Sequence, residues 1–179
     1  GLQRDAGGIN RFEHNRAPAS VDKQTVIRMN RDTLYSFAVV DVSAGATLMI
    51  PDAGDRYLSV MVVNEDHYIN RVLHGEGRYD LTDDDVGSPY AVVAARTLVD
   101  PQDPADLASV AAIQDQLLLS AAADRPFVLP DYDTESLDRT RKALLTLASD
   151  MTSFESTFGR KEDVDPVHHL VGTAAGWGG

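Results

Sequence analysis

The stretch that decides the fold is Asn30-Arg31-Asp32-Thr33-Leu34-Tyr35-Ser36, which leads directly into the mostly apolar run Phe37 to Val42. A valine-rich apolar run predicts a β-strand. The polar side chains ahead of that strand need partners when they are packed, and those partners come from the fold or from a ligand. The stretch therefore predicts a strand and, at its start, the edge of a candidate site.

Short runs rich in Val, Ile, Tyr and Thr recur around this strand at intervals of roughly ten residues, with Gly, Pro, Asp and Ser between them. They predict six strands: Thr25 to Met29, Leu34 to Val42, Thr47 to Ile50, Tyr57 to Asn64, Tyr68 to Leu73 and Tyr90 to Leu98. The segment Pro51 to Asp55 predicts a hairpin between the third and fourth strands. The fourth strand is apolar at nearly every position, which indicates that both of its faces are covered.

Helical signals begin at Asp100, and helices are predicted at 103–122, 134–158 and 165–174. Asp103 before Pro104 supplies an N-cap and a first-turn proline, and Asp165 before Pro166 repeats that signal. A stripe of apolar residues with helical spacing supports the second helix, and Gly159 is its predicted C-cap.

These elements predict an α+β, strand-rich chain, either an antiparallel β-sandwich or a distorted barrel, with about three C-terminal helices packed against it. We divide it into an irregular N-terminal arm at 1–23, a β-rich body at 24–99 and a helical part at 100–179 of the same domain. A chain of 179 residues can bury a hydrophobic core without disulfides. Its final residues, Gly176-Trp177-Gly178-Gly179, are interpreted as a cut within a longer protein.

The composition excludes several classes of function. The 16 basic and 28 acidic residues give a formal charge of -12, which repels nucleic acid and anionic lipid surfaces. Without cysteine the chain has no disulfide, thiolate metal site or cysteine nucleophile. Its apolar runs are far shorter than the ~20 residues of a membrane helix. We predict no nucleic-acid or membrane partner and a cytoplasmic location, unless a signal peptide has been removed. A small-molecule ligand and a homo-oligomer are both compatible with the sequence.

The common catalytic motifs are missing. Neither Ser36 nor Ser59 has a Gly-x-Ser-x-Gly setting, and Gly75-Glu76-Gly77 matches neither a P-loop nor a dinucleotide fingerprint. The acidic run Asp80 to Asp85 lacks the ligand spacing of a calcium loop and predicts a solvated turn. The sequence therefore predicts no particular reaction and no particular cofactor.

One group of candidate residues surrounds the start of the second predicted strand. A polar network is expected between Arg56 and four of these residues, in which Asp32 accepts a bidentate guanidinium bond; the four are Asn30, Arg31, Asp32 and Tyr35. The alternative is a ligand pocket in which Arg56 or Arg96 binds a carboxylate and Tyr35 or Tyr68 stacks on the ligand or donates to it. Arg96 lies within an apolar strand, where an unpaired charge is costly, so it needs an acidic or ligand partner.

A second group follows the fourth predicted strand. Asp66 is placed to orient His67 as a base, with Tyr35 as a further catalytic candidate, and the competing interpretation is a hydrogen-bonded turn. His67, His168 and His169 are candidate metal ligands. Adjacent residues on a helix point about 100° apart, so only one of the last two can face a given site. Asp165 is already explained as an N-cap.

Two functions stay open. The first is a polar small-molecule pocket at the strand ends, with or without a metal and with or without a reaction, where the loop opening at Asn30 and the turn at His67 converge in space. The second is a non-catalytic structural or interaction module, which fits the absence of a known catalytic motif.

Several phrases of the sequence resemble one bacterial family. They are Val26 to Ser36, Pro51, Arg56-Tyr57, Asp66-His67-Tyr68, Arg96-Thr97-Leu98, Asp103 to Leu107, Ile113-Gln114-Asp115, Asp165 to Leu170 and Gly176 to Gly179. Over residues 12 to 179 the chain resembles the domain of unknown function 1254 family, whose longer members continue into a domain of unknown function 1214. The resemblance implies a β-sandwich or barrel-like body with helical additions, and it implies no established reaction.

Overall fold

The computed structural model describes residues 8–18 and 30–176. Its strands are β1 (Glu13–His14), β2 (Thr33–Asp41), β3 (Ala46–Ile50), β4 (Leu58–Asn64), β5 (Ile69–His74), β6 (Gly77–Leu81), β7 (Tyr90–Leu98) and β8 (Leu118–Ala121). Its helices are α1 (Asp83–Val86), α2 (Pro104–Gln114), α3 (Thr134–Ser149) and α4 (Pro166–Ala175). The predicted α+β, strand-rich class is confirmed. None of these helices is long and apolar enough to cross a membrane. The predicted strand at Thr25 to Met29 and Trp177 lie outside the described residues.

The strands form two antiparallel sheets. The larger has the order β1-β2-β7-β4-β5, and the smaller has the order β6-β3-β8. β7 is central in the larger sheet, where it pairs with β2 from Thr33 opposite Leu98 to Asp41 opposite Tyr90, and with β4 on its other side. Of the two predicted architectures, the structure shows two separate sheets, and no closed barrel is formed by the described strands.

One hydrophobic core joins the two sheets. The larger sheet contributes alternate residues of its three central strands, such as Val40, Val62 and Val93, and the smaller sheet contributes Leu48 and Leu81. All five side chains are fully buried. Because side chains alternate between the faces of a strand, the residues between these core positions lie on the opposite face of the larger sheet. We call that opposite face, which is turned away from the smaller sheet, the outer face.

β4 is buried on both faces, as its apolar sequence predicts. It lies between β7 and β5, and each of its residues except Met61 is buried. The predicted hairpin at Pro51 to Asp55 is wrong, because β3 pairs with β6 and β8 whereas β4 pairs with β7 and β5. A turn does form there, with the Asp52 carboxylate accepting from the Gly54 N–H, but it carries the chain from one sheet to the other. Both strands are apolar enough to lie inside a sheet, so each takes a central position in a different one.

The helix predicted at 103–122 begins as expected and ends early. Asp103 caps α2 by accepting from the Ala105 N–H, and Pro104 is its first residue. The helix stops at Gln114, because Leu117 enters the core and Leu118–Ala121 pairs with β3 as β8. The helical part predicted from residue 100 onward therefore contributes a strand to the smaller sheet.

β6 and β1 were not predicted as strands either. β6 (Gly77–Leu81) is short and carries Arg78 and Asp80, and β1 (Glu13–His14) is a two-residue strand within the arm predicted to be irregular. The acidic run Asp80 to Asp85, predicted as a solvated turn, instead ends β6 and begins α1, which Thr82 caps and whose Val86 is fully buried.

The second predicted helix ends at Ser149 rather than at 158, so Gly159 is not its C-cap. Side chains in the following segment bond to the local backbone instead, with Ser153 accepting from the Glu155 N–H and Thr157 donating to the Phe154 carbonyl. Hydroxyls that compete for backbone groups in this way favour a loop over a helix. The third helix matches its prediction, and the Asp165 carboxylate accepts from two N–H groups of its first turn.

An ion pair between a buried carboxylate and a partly exposed arginine closes one end of the fold. The Asp41 carboxylate is 0% exposed and binds the Arg125 guanidinium through two contacts of 3.0 Å. It also accepts from the Arg125 N–H and from the N–H and hydroxyl of Ser43. The hydrogen bonds from Arg125, followed by those from Ser43, hold the pKa of Asp41 well below its usual range. Arg125 follows Asp41 by 84 residues in the sequence, so this ion pair fixes the segment after β8 against β2.

Asp41→Asn is expected to lower the free energy of unfolding by about 2 kcal/mol at pH 7, because it removes the charge that pairs with Arg125. A carboxylate whose folded pKa is depressed stabilises above its unfolded pKa, near 4, and loses that contribution as the pH falls through the folded value. Urea midpoints should therefore fall between pH 4 and pH 2 in the wild type and fall less in Asp41→Asn. Asp80→Asn, at an exposed ion pair with Arg78, is the control and should leave the midpoint unchanged. A midpoint equal to wild type at pH 7 would contradict the role of Asp41.

Gly172→Ala is expected to destabilise the chain by about 1 to 3 kcal/mol despite the higher helix propensity of alanine. An added Cβ at Gly172 would lie 2.2 Å from the Thr157 methyl and 3.0 Å from the Phe158 ring, so the loop after α3 must move. Gly159→Ala is the matched control, since its Cβ would meet Val164 at an ordinary 3.5 Å. Thermal unfolding followed by circular dichroism measures both, and equal melting temperatures for the two variants would show that α4 and the loop are not tightly packed.

Candidate functional site

Four polar side chains form a row across the outer face of the larger sheet. Tyr35 on β2 lies opposite Arg96 on β7, Arg96 lies opposite Ser59 on β4, and Ser59 lies opposite His74 on β5. Directly opposed residues on antiparallel strands point to the same face, so the four side chains share that face. We call them the polar row. It lies close to one end of the sheet, since Tyr35 and Ser59 are near the starts of their strands and His74 ends its own.

Arg96 is the permanently charged member of the polar row, and no carboxylate among the described residues pairs with it. Its guanidinium carbon lies 5.5 Å from the centre of the Tyr35 ring, which itself stacks on Phe37 at 5.5 Å and 11°. The side chain is half-buried, and its Nε is buried without a hydrogen-bond partner. Within residues 8–18 and 30–176 no carboxylate forms an ion pair with it. A cation–π contact offsets only part of the cost of removing a guanidinium from water.

Neighbouring groups at this end of the sheet also have unused hydrogen-bonding capacity. Four buried side-chain atoms lack a hydrogen-bond partner in the described part of the chain, and three of them belong to Thr33, Arg96 and Thr97. Thr33 is on the outer face next to the polar row, because it lies opposite Leu98 in the same register. Thr97 alternates onto the core face, so on the outer face the described residues leave the Thr33 hydroxyl and the Arg96 Nε without partners.

Ser59 and His74 complete the row beside a tyrosine. Ser59 is only 5% exposed, and its Oγ accepts from the Tyr57 hydroxyl at 2.9 Å. The Tyr57 ring lies 6.1 Å from the His74 imidazole at an angle of 57°. Since the Ser59 oxygen is occupied as an acceptor, its own proton is left to donate.

Arg56, a predicted ligand-binding residue, is already paired within the fold. Its guanidinium makes two contacts with the Asp106 carboxylate in the first turn of α2, one of them at 3.0 Å, and donates to the Leu98 carbonyl at 2.7 Å. Asp106 also accepts from the Asp100 N–H. The hydrogen bonds from Arg56, followed by the one from Asp100, lower the pKa of Asp106 to about 2. Arg56 therefore ties α2 to the end of the sheet, and its carboxylate partner is Asp106 rather than the predicted Asp32.

Asn30 and Asp32 lie at the same end of the sheet as the polar row. The Asn30 side chain accepts from the Asp32 N–H at 2.8 Å, and the Asp32 carbonyl accepts from the Val99 N–H at 2.9 Å. Both side chains are exposed. Asn30 and Asp32 cap the start of β2 and form the rim of that end of the sheet.

Asp66, His67 and Tyr68 lie at the opposite end of the sheet. β4 has seven residues, and it separates Arg56 from this turn by about 20 Å. The predicted convergence of the Asn30 loop with the His67 turn is therefore wrong. The prediction rested on the fact that both segments adjoin strands. The antiparallel register places the two segments at opposite ends of the sheet.

Asn64 organises that turn, and sequence reasoning did not single it out. Its side-chain oxygen accepts from the N–H groups of Asp66 and Tyr68, and its amide donates to the Val86 carbonyl at 3.0 Å. His67 adopts a left-handed backbone with φ of 67°. Loss of hydration, followed by the proximity of His169, lowers the pKa of His67, while Asp66 raises it.

His169 fastens α4 to the same turn. Its Nδ1 lies 3.0 Å from the Thr157 carbonyl, its Nε2 lies 2.9 Å from the Asp66 carbonyl, and its ring stacks on Tyr68 at 4.3 Å. Both ring nitrogens are engaged, so neither is available to a metal. His168 contacts the Glu155 carbonyl at 2.7 Å through Nδ1. Among the described residues no three histidine or carboxylate groups come close enough to hold a metal, so the structure does not assemble the site predicted from His67, His168 and His169.

A serine–histidine contact occurs at the start of the chain, but it is structural. His14 Nδ1 lies 2.8 Å from the Ser36 hydroxyl, which also accepts from the Gln114 amide at 3.2 Å. Burial, followed by the charge of Arg16, lowers the pKa of His14. Ser36 is fully buried and bonded on both sides, so no substrate can reach it. The contact fastens β1 and α2 to β2.

Two open clefts lie away from every predicted site residue. One, of about 490 Å³, is bordered by Thr47, Arg78 and Asp80, whose side chains bond to one another. The other, of about 350 Å³, is smaller and is bordered by Asp83, Asp84 and the segment Gly87 to Pro89. The polar side chains of the first cleft already pair with one another, and both clefts are wide open to solvent. Both are therefore weaker candidates for a ligand site than the polar row.

Comparison with known proteins supports the fold and the family. The family described as "Protein of unknown function (DUF1254)" matches residues 9–121, which confirms the resemblance over that range and leaves the likeness from 122 onward a prediction. The crystal structure of the VPA0106 protein from Vibrio parahaemolyticus, a structural genomics target, is similar with a TM-score of 0.68 and 15% sequence identity. The similarity covers 84% of this chain and 58% of that one. No curated protein matches the chain.

His169→Phe is expected to keep the stacking on Tyr68 and to lose both contacts to backbone carbonyls, at a cost of about 2 kcal/mol in the free energy of unfolding. Hydrogen exchange measured by mass spectrometry should show faster exchange in α4 and in the turn after β4, with β7 unchanged. His168→Phe is the control, because His168 makes one exposed contact and should change the exchange little. Unchanged protection of α4 in His169→Phe would show that His169 does not hold this helix.

Proposed function

Because the chain belongs to the DUF1254 family of proteins of unknown function, its role has to be argued from its own residues, and we propose that it binds a small carboxylate-bearing molecule at the polar row. Recognition would involve Arg96 as the cationic centre and Tyr35 as the aromatic side wall. Ser59 would donate a hydrogen bond next to the carboxylate.

The unpaired charge of Arg96 carries this proposal. Asp41, Asp80 and Asp106 each pair with another arginine, and within the described ranges none pairs with Arg96. A half-buried guanidinium with a buried, unbonded Nε is costly to maintain, and a carboxylate is the group that matches its planar array of donors. A bound carboxylate would supply the acceptors that the described residues do not.

The remaining polar groups favour an anion over a cation. The Tyr57 hydroxyl donates to the Ser59 oxygen, which leaves the Ser59 proton available to a further acceptor. His74 is exposed beside Tyr57 and can add a donor at the edge strand. Glu13, opposite Phe37 on β1, is a carboxylate on the same face, and it lies on an edge strand, two strands away from β7.

The arrangement supports binding more directly than catalysis. Ser59 and His74 are opposite one another, yet in the part of the chain that the structure describes they form no hydrogen bond that would activate the serine. Asp66 and His67, the predicted acid–base pair, lie at the other end of the sheet. We therefore assign recognition to the polar row and no reaction.

Arg96→Met is expected to weaken benzoate binding at least tenfold, because it removes a charge-assisted bidentate contact and keeps most of the side-chain volume. Isothermal titration at constant ionic strength, with chloride as the non-binding anion, measures this. Arg78→Met is the matched control, since Arg78 is exposed and belongs to a different ion pair.

Equal benzoate affinity in Arg96→Met and wild type, or no binding to the wild type, would overturn the proposal. Self-association of the wild type that is lost in Arg96→Met, together with no benzoate binding, would favour the interaction-module hypothesis instead. In that case the carboxylate would belong to a protein side chain. Near-ultraviolet circular dichroism confirms that each variant is folded.

A further inference from the structure

We infer that the carboxylate ligand is amphipathic, with an apolar body that lies along a second row of the same face; this inference rests on the proposed function. The second row consists of Phe37, Ala94, Met61 and Val72, and we call it the apolar row. It specifies the class of ligand, which the polar row alone leaves open.

The two rows are parallel and adjacent. Phe37 lies opposite Ala94, Ala94 lies opposite Met61, and Met61 lies opposite Val72 on the same four strands that carry the polar row. Each residue is two positions from its counterpart in the polar row, so the rows share a face and are about 7 Å apart. This is roughly the length of an extended five- or six-carbon chain.

We infer a shallow trough beside Arg96 from the side-chain sizes, and we define it as the strip over Ala94 between Phe37 and Met61. Ala94 is the smallest member of the apolar row and is only 6% exposed, with Phe37 on one side and Met61 on the other. Phe37 stacks on Tyr35, so one aromatic wall runs from Arg96 to Ala94. Val72, at the edge strand, is 52% exposed and forms an apolar rim.

The chemistry along the trough discriminates against a polar ligand body. The next row on the same face, Val39, Val92 and Val63, is also apolar. Between Phe37 and Val72 these rows offer no polar side chain to a hydroxyl or ammonium group of the ligand, since Glu13 lies beyond Phe37 on β1. A second carboxylate would be moved away from Arg96 and toward the side of the sheet where Glu13 lies. A monocarboxylate with an alkyl or aryl body fits both rows.

A chain-length series tests the inference. Acetate, butyrate, hexanoate and benzoate are titrated against the full chain at constant ionic strength, with succinate as the dicarboxylate. We expect the affinity to rise about threefold for each added methylene up to hexanoate, and succinate to bind no better than acetate.

Two variants locate the apolar body. Ala94→Leu fills the trough and should reduce hexanoate affinity to that of acetate, while acetate affinity stays within twofold of wild type. Ala108→Leu, at an exposed position of α2, is the matched control and should change neither. Val72→Ser is a second test at an exposed position that tolerates a polar residue, and it should flatten the chain-length dependence.

Failure of this inference and failure of the proposed function give different results. Equal affinities for acetate, hexanoate and succinate that all depend on Arg96 would overturn the amphipathic ligand and leave the carboxylate site intact. Hexanoate binding that survives Arg96→Met, or the absence of binding for every carboxylate, would overturn both. Hexanoate affinity that Ala94→Leu does not reduce, while Val72→Ser also leaves it unchanged, would overturn the location on the apolar row.

Discussion

The hydrogen bonding of β7 on both sides is the constraint on which the rest of the structure depends. β2 and β4 hold it in register along its length, so each of its side chains must point either into the core or onto the outer face. The core takes Ala91, Val93 and Ala95, which are buried against the smaller sheet. The positions between them, Ala94 and Arg96 included, are then assigned to the outer face. A slip of one residue would bury the Arg96 charge in the core, so core packing itself fixes where the cation lies.

Most other charged and polar groups that attract attention in the sequence are used by the fold. The pairs of Asp41 with Arg125 and of Arg56 with Asp106 join segments that are distant in sequence, and His169 joins α4 to the turn after β4. Each is satisfied by partners within the chain, so none needs a ligand. Arg96 differs because the described residues offer it an aromatic ring and no anion. Functional interpretation therefore follows from which groups are left unsatisfied rather than from which groups are polar.

Local signals in the sequence were reliable where the physical cause was local. The N-caps at Asp103 and Asp165 depend on a side chain and the next few N–H groups, and both helices begin where those residues predict. The apolar runs of β2, β4 and β7 were found for the same reason. The end of α2 was missed, because Leu118–Ala121 becomes a strand only through pairing with β3, some seventy residues earlier in the sequence. The hairpin at Pro51 to Asp55 failed in the same way, since the turn forms but the partner strands are chosen elsewhere.

By itself the sequence determined the strand-rich class, the helix starts, the family and the need of Arg96 for a partner, because these follow from composition, spacing and the cost of a charge within an apolar run. Only the tertiary structure decided that Tyr35 and Arg96 stand in one row with Ser59 and His74, and that Asp66 and His67 lie at the other end of the sheet. Register is set by hydrogen bonds between strands and by the shared core, and neither is encoded in any single segment. The candidate site thus depends on the pairing of four strands, whereas its cation, Arg96, can be identified from the sequence of β7 alone.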